Sequence, residues 1–180
     1  MITLSLSLLA GCSGVFGDPY EQANAHVADA NEAIEEHNRL FENARGTYEE
    51  AREAVEAGET TSQEAERVTQ ARENMQEARD TLQEAREPLS EVQDLEVEAE
   101  VQKYAGLLSE AIDAQLAAEG GEIGFYELLE QDPTLADRRE EAEGILTEVG
   151  NGYEEAENAY ARAREVADAN PELLPEGSQA

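Results

Sequence analysis

Tryptophan is absent, cysteine occurs once, methionine twice, and all aromatics together make up 5% of the 180 residues. A single cysteine excludes an internal disulfide framework and any cysteine-based metal cluster. So few aromatics leave a thin, alanine-rich core rather than a broad one. Basic charge is also scarce: twelve Lys and Arg stand against 43 Asp and Glu, and Lys103 is the only lysine. The resulting net charge of −31 excludes the basic face that nucleic-acid binding needs. Runs rich in β-branched residues are missing, so strands are not expected. The one apolar run, Ile2 to Leu8 with Thr3, Ser5 and Ser7 within it, is far short of the ~20 residues that span a bilayer.

That stretch ends in Leu9-Ala10-Gly11-Cys12. A short apolar segment closing in small residues before a lone cysteine has the length of a signal-peptide core. The four residues resemble the lipobox of prokaryotic membrane lipoproteins. The resemblance implies cleavage before Cys12, lipidation of Cys12, and a body held on the outside of the cell membrane. Residues 1–11 are then a signal peptide and 12–18 a tether. Met1-Ile2-Thr3 carries no basic residue, so the general secretory and twin-arginine routes are not distinguished. One lipid chain binds reversibly, so stable anchoring takes a second chain or contact.

Charge of one sign at this density destabilises a compact state in dilute buffer. At ~1 M salt the Debye length falls to ~3 Å and the repulsion is screened. The near-absence of lysine in an acidic chain resembles proteins of salt-loving archaea. Anionic lipid headgroups should repel this body, leaving the anchor as the membrane contact.

Helix formers dominate from Asp18 onward. Asp18-Pro19 reads as a helix N-cap followed by proline at the first helical position. Tyr20, Ala23, Val27, Ala30, Ile34, His37, Phe41, Ala44, Tyr48, Ala51 and Val55 then recur in alternating steps of three and four. Large and small residues alternate along this seam, which suits close helix pairing. A helix over 19–57 follows, roughly 55 Å long, with Gly58 as its cap. Thr61-Ser62-Gln63-Glu64 matches a capping box and opens a second helix over 62–87, with a seam through Val68, Ala71, Met75, Ala78, Leu82, Ala85 and Leu89. Pro88 interrupts it. Ser90 to Gln93 offers a restart, giving either a third helix over 91–118 or one kinked helix over 62–118. Gly120-Gly121 is expected to stop that helix, a short helix over 122–130 to fold across one end, and Asp132-Pro133 to open a last helix over 133–169. Residues 171–180 read as a disordered tail. The fold class is thus all-α: an elongated antiparallel bundle or coiled coil of three or four long helices spanning 19–170, with alanine-rich seams.

Candidate chemistry is sparse. Glu-Glu pairs arise everywhere by chance in so acidic a chain. His26 and His37 are about 16 Å apart by helical rise and cannot share a metal. A di-iron helix bundle needs Glu-x-x-His, and neither histidine has it. His37 occupies a seam position otherwise held by alanine and reads as a polar core residue that fixes helix register. No phosphate loop, nucleophile elbow or calcium loop is present. One pattern exceeds background: Arg72, Arg79 and Arg86 recur every seven residues, and none has an acidic residue three or four away. They are expected to meet Glu from another helix, or else to form a strip that docks an acidic partner.

These readings give a non-enzymatic, lipid-anchored spacer, scaffold or accessory subunit of an envelope complex, with no cofactor or metal. Its expected contacts are the membrane through the anchor, and a protein partner or a second copy. The alternative is a small solute-binding lipoprotein, which would need a pocket with convergent polar groups between helices. An enzyme is the least favoured class.

Overall fold

A computed structural model describes residues 18–56, 61–133, 135 and 137–174, with 51–56 and 61–65 described by their backbone alone. Residues 1–17, and with them Cys12 and the tether up to Gly17, lie outside the described residues, as do Gly58 and the tail from 175 onward. The fold is all-α, with no strand among the described residues. Five helices follow in order: α1 (Pro19–Glu56), α2 (Thr61–Glu84), α3 (Arg86–Asp94), α4 (Ala99–Gln131) and α5 (Arg139–Ala169). None is long and apolar enough to cross a membrane.

Helix α1 starts where Asp18 and Pro19 place it. The Asp18 carboxylate accepts from Tyr20 N at 3.0 Å, and its carbonyl accepts from Gln22 N at 3.1 Å. Pro88 acts earlier than expected. It has no N–H for the carbonyl of Glu84, and α2 ends at Glu84. Ala85 alone interrupts the helix, tightened by a bond from its N–H to Leu82 O at 3.2 Å. Helix α3 then continues through Pro88 to Asp94, so no new helix begins at 91.

The true break is at Leu95–Glu98. Leu95 turns extended (φ −79°, ψ 148°) and, with Val97, packs onto the core. Gln102 Nε2 reaches back to Leu95 O at 2.8 Å, satisfying a carbonyl the chain reversal frees. Neither the helix over 91–118 nor the kinked helix over 62–118 describes this segment. Helix α4 runs from Ala99 straight through Gly120-Gly121 to Gln131, absorbing the short helix expected over 122–130. The glycine at 121 serves packing instead: a Cβ there would stand 2.8 Å from Val149 Cγ2 of α5. Gly152 returns the favour, since its Cβ would stand 2.9 Å from Ala118 Cβ.

Helix α5 begins six residues later than Asp132-Pro133 suggests. Leu135 takes a left-handed backbone (φ 50°), unusual for a leucine, and its partly buried side chain packs against the apolar cluster of Met75 and Tyr126. Arg138 bridges the turn, donating to Gln131 Oε1 at 2.8 Å and to both Glu141 oxygens. At the far end Asn170 Nδ2 caps Val166 O at 2.8 Å. The chain does not fray at once: Leu174 is buried and Leu173 packs against the same cluster.

Cross-helix pairs give the directions. His26 meets Glu91 and Arg67 meets Glu50, so α1 runs antiparallel to α2 and α3. Arg72 meets Glu130 and Arg86 meets Asp113, so α4 runs antiparallel to α2 and α3. Tyr153 meets Glu122 and Tyr160 meets Gln115, so α5 runs antiparallel to α4. Helix α4 touches all the others, and its buried residues fall on every side, as a central helix requires. The core divides in two. One apolar cluster joins Val27, Ile34, Leu89, Tyr104, Leu108 and Val166. The other joins Val68, Met75, Phe125, Tyr126 and Ala142.

Candidate functional site: a buried polar layer beneath a cleft

Between the two apolar clusters lies a layer of buried polar side chains. The α4 seam that faces α1 and α5 steps through Ile112, Gln115, Glu119, Glu122 and Tyr126, again in threes and fours. Its three central positions are polar and buried. Opposite stands His37, between Ile34 of one cluster and Phe41 of the other. Burying such groups costs several kcal/mol unless each finds a partner, on the order of 1–3 kcal/mol per unsatisfied group.

His37 Nε2 lies 2.6 Å from Glu119 Oε1, and neither side chain is exposed to solvent. His37 Nδ1 lies 3.0 Å from Asn38 Oδ1. The separation at Nε2 is that of a short hydrogen bond between the ring and the carboxylate. Gln115 Nε2 lies 3.3 Å from the same nitrogen, and Gln115 Oε1 accepts from Tyr160 OH at 3.0 Å. Glu119 Oε2 is buried without a partner.

The second carboxylate, Glu122, sits one turn further along α4. Tyr126 OH donates to its Oε1 and Tyr153 OH to its Oε2, the latter at 2.6 Å. Arg45 Nε lies 3.9 Å from Oε1, and its guanidinium stacks 5.5 Å over Phe41 and 5.9 Å over Tyr153. Burial, then the charge of Glu122, pushes the Tyr126 and Tyr153 hydroxyls far up from their ordinary range. Burial, then the charge of Glu119, pushes Tyr160 up. All three remain donors across the physiological range.

Above this layer α1 and α5 part to leave an open cleft of about 440 Å³. Ile34, Asn38, Phe41 and Arg45 form one wall, Tyr153, Ala156, Glu157, Tyr160 and Arg164 the other, and Gln115 the floor. Each wall is one helical face at steps of three and four. Ala156 is the reason for the opening: it places a small side chain between two tyrosines a turn to either side.

The sequence-marked residues lie elsewhere. Arg72 Nε pairs with Glu130 Oε1 at 3.0 Å, Arg86 Nη2 with Asp113 Oδ1 at 3.0 Å, and Arg79 Nε donates to the Leu116 carbonyl at 3.3 Å. All three reach α4, but only Arg72 meets a glutamate. Hydrogen bonding to Glu130 raises Arg72 further above its ordinary range. His26 makes a half-exposed contact with Glu91 Oε2 at 2.9 Å. Among the described residues no group of three or more His, Cys, Asp or Glu is arranged to hold a metal ion.

Sequence reasoning missed Gln115, Glu119 and Glu122 because carboxylates are everywhere. The signal that finds them is their position: they continue the Val101, Ala105, Leu108, Ile112 seam without a change of step. Comparison with protein-family models, with curated protein sequences and with solved structures gave no match.

Proposed function

We propose that the chain is a membrane lipoprotein, anchored through Cys12 on the outside of the cell. Its body is an elongated antiparallel helical bundle that acts as a non-enzymatic spacer, scaffold or accessory subunit of an envelope complex. The observation that carries the reading is that the body buries its own large apolar side chains. Of its large hydrophobic side chains, only Leu146 is exposed among the described residues, at 46%. Arg72, Arg79 and Arg86 each bond to α4. A folded unit of this kind needs no second chain to complete its core, and it presents an acidic, solvated exterior suited to molar salt.

The anchor is tested in cells by replacing Cys12 with Ser. The wild-type chain is expected in the membrane fraction and Cys12→Ser in the medium; membrane retention of the variant overturns the anchor. Crosslinking in native salt followed by mass spectrometry then tests the role. A stoichiometric membrane or surface partner supports the accessory subunit, and self-crosslinks or none support the spacer.

A second reading, a small solute-binding lipoprotein, is favoured by one feature: the cleft between α1 and α5, where polar and aromatic side chains of three helices converge.

A further inference from the structure

We propose that the cleft between α1 and α5 binds a small uncharged ligand with a flat apolar body, such as a neutral bicyclic aromatic; this rests on the solute-binding reading. Nearly every polar group that lines the cleft already has a partner within the protein. Tyr153 OH donates to Glu122 and Tyr160 OH to Gln115, so both hydroxyls are taken and the rings are left as walls. Gln115, on the floor, meets Tyr160 through Oε1 and His37 through Nε2. Asn38 Oδ1 lies against His37 Nδ1. Arg45 is engaged with the Glu122 carboxylate and with the faces of Phe41 and Tyr153. Arg164 is engaged as well. Of the charged groups in the lining, that leaves Glu157, which stands exposed to water at the rim.

A charged ligand therefore gains little here. An anion finds two guanidiniums whose charge is already answered, and it approaches a chain of net charge −31. A cation competes with Arg45 for the same two rings, and with water for an exposed carboxylate, where ion pairs contribute little. An uncharged ligand leaves every existing bond in place and gains by taking apolar surface out of water. Excluded salts strengthen that drive, while the same ionic strength screens attraction between charges. The solvent that suits so acidic a chain thus favours the uncharged ligand over an ionic one.

The shape of the ligand follows from the walls. Phe41, Tyr153 and Tyr160 supply ring surface, and Ile34 and Ala156 supply aliphatic surface. Phe41 and Tyr153 stand edge to face with centroids 5.6 Å apart, a preferred aromatic geometry that a further ring can extend. Ala156, between two tyrosines a turn to either side, leaves a notch that suits a flat body. The volume of about 440 Å³ lies within the range that small-molecule sites occupy.

The test is titration of the purified full chain, in molar salt, with three probes that share one bicyclic body: naphthalenemethanol, which is uncharged, naphthoate, its anionic counterpart, and naphthylmethylamine, its cationic one. Heat and naphthalene fluorescence are followed; the chain has no tryptophan to overlap that signal. The alcohol is expected to saturate with a Kd of roughly 1 mM or below, and each charged probe to bind at least about tenfold more weakly. Added sodium sulfate is expected to tighten the alcohol. Ala156→Leu fills the notch and is expected to abolish binding, with circular dichroism verifying that the variant keeps its helix. Glu157→Gln, at an exposed position, is expected to leave the alcohol unaffected. Because Ala156 is buried, nuclear Overhauser contacts from the alcohol to Ala156 and Tyr160 in the unsubstituted chain locate the ligand independently. A charged probe that binds as well as the alcohol overturns the assignment, as does weakening by sulfate or contact made elsewhere on the molecule. A charged probe that saturates alone, with affinity lost on Ala156→Leu, leaves solute binding standing and removes only the uncharged class; silence of all three up to roughly 10 mM removes the two together.

Discussion

His37 on α1 and Glu119 on α4 meet at 2.6 Å between Nε2 and Oε1, with both side chains withdrawn from solvent. An apolar pair of similar size would be at least as stable there, whereas removing one partner strands a buried polar group.

The corresponding prediction is a double-mutant cycle. His37→Leu alone and Glu119→Leu alone are each expected to cost about 3–5 kcal/mol, and the double variant distinctly less than either sum. Urea unfolding in molar salt measures all four corners. Additive losses would mean that the two side chains do not interact.

Glycines in α4 and α5 divide into those that pack and those that do not. A Cβ at Gly152 meets the Ala118 Cβ at 2.9 Å and its backbone at 3.4 Å, so Gly152→Ala is expected to destabilise by about 1–3 kcal/mol. A Cβ at Gly150 meets nothing within 4 Å, and Gly150→Ala is expected to stabilise by roughly 0.5–1 kcal/mol through helix propensity. Thermal melting of the two variants should move in opposite directions.

Alkaline pH should unfold the protein before its buried tyrosines ionise in place. Folding raises the affinity of Tyr126, Tyr153 and Tyr160 for their protons. Their contribution is therefore complete below the ordinary tyrosine range and declines as pH rises above about 10, where the unfolded chain releases protons and the folded one does not. Tyrosinate absorbance is expected to show a late component that rises together with loss of helix. Tyr153→Phe should reduce that component. A late component that titrates while helicity is constant would contradict the prediction.

Salt should stabilise the fold, because the repulsion within a chain of net charge −31 outweighs its few cross-helix ion pairs. Arg72 and Arg86 pair with Glu130 and Asp113 at half-exposed or exposed positions, each worth about 1 kcal/mol or less. Replacing both with Gln is expected to raise the salt concentration needed for full helicity, with little effect once salt is molar. Circular dichroism against salt measures this directly.

Much of the secondary structure was legible from period and caps. The Tyr20-to-Tyr48 seam of α1 and the Asp18 cap follow from spacing alone. The errors sit where one residue type serves two ends. Gly120-Gly121 reads as a stop because glycine usually ends helices, yet Gly121 is there to admit Val149. Leu135 gives no local sign of a left-handed backbone, since its packing against the Met75 and Tyr126 cluster is a tertiary fact. Ser90-Glu91-Val92-Gln93 matches a cap in sequence, but α3 runs through it. The polar layer was half legible: His37 stood out in an alanine position, while Glu119 and Glu122 were hidden among the other carboxylates.

The separation of 82 residues between His37 and Glu119 also orders events in time. A chain delivered from its N-terminus can pair α1 with α2 at once, since that contact is local. The histidine then remains hydrated until the middle of α4 has emerged, because the partners that cover it, Gln115 and Glu119, stand on that helix. The first two helices are consequently obliged to wait, half-assembled, for the third quarter of the polypeptide, and the rate at which α4 arrives governs when the core can shut.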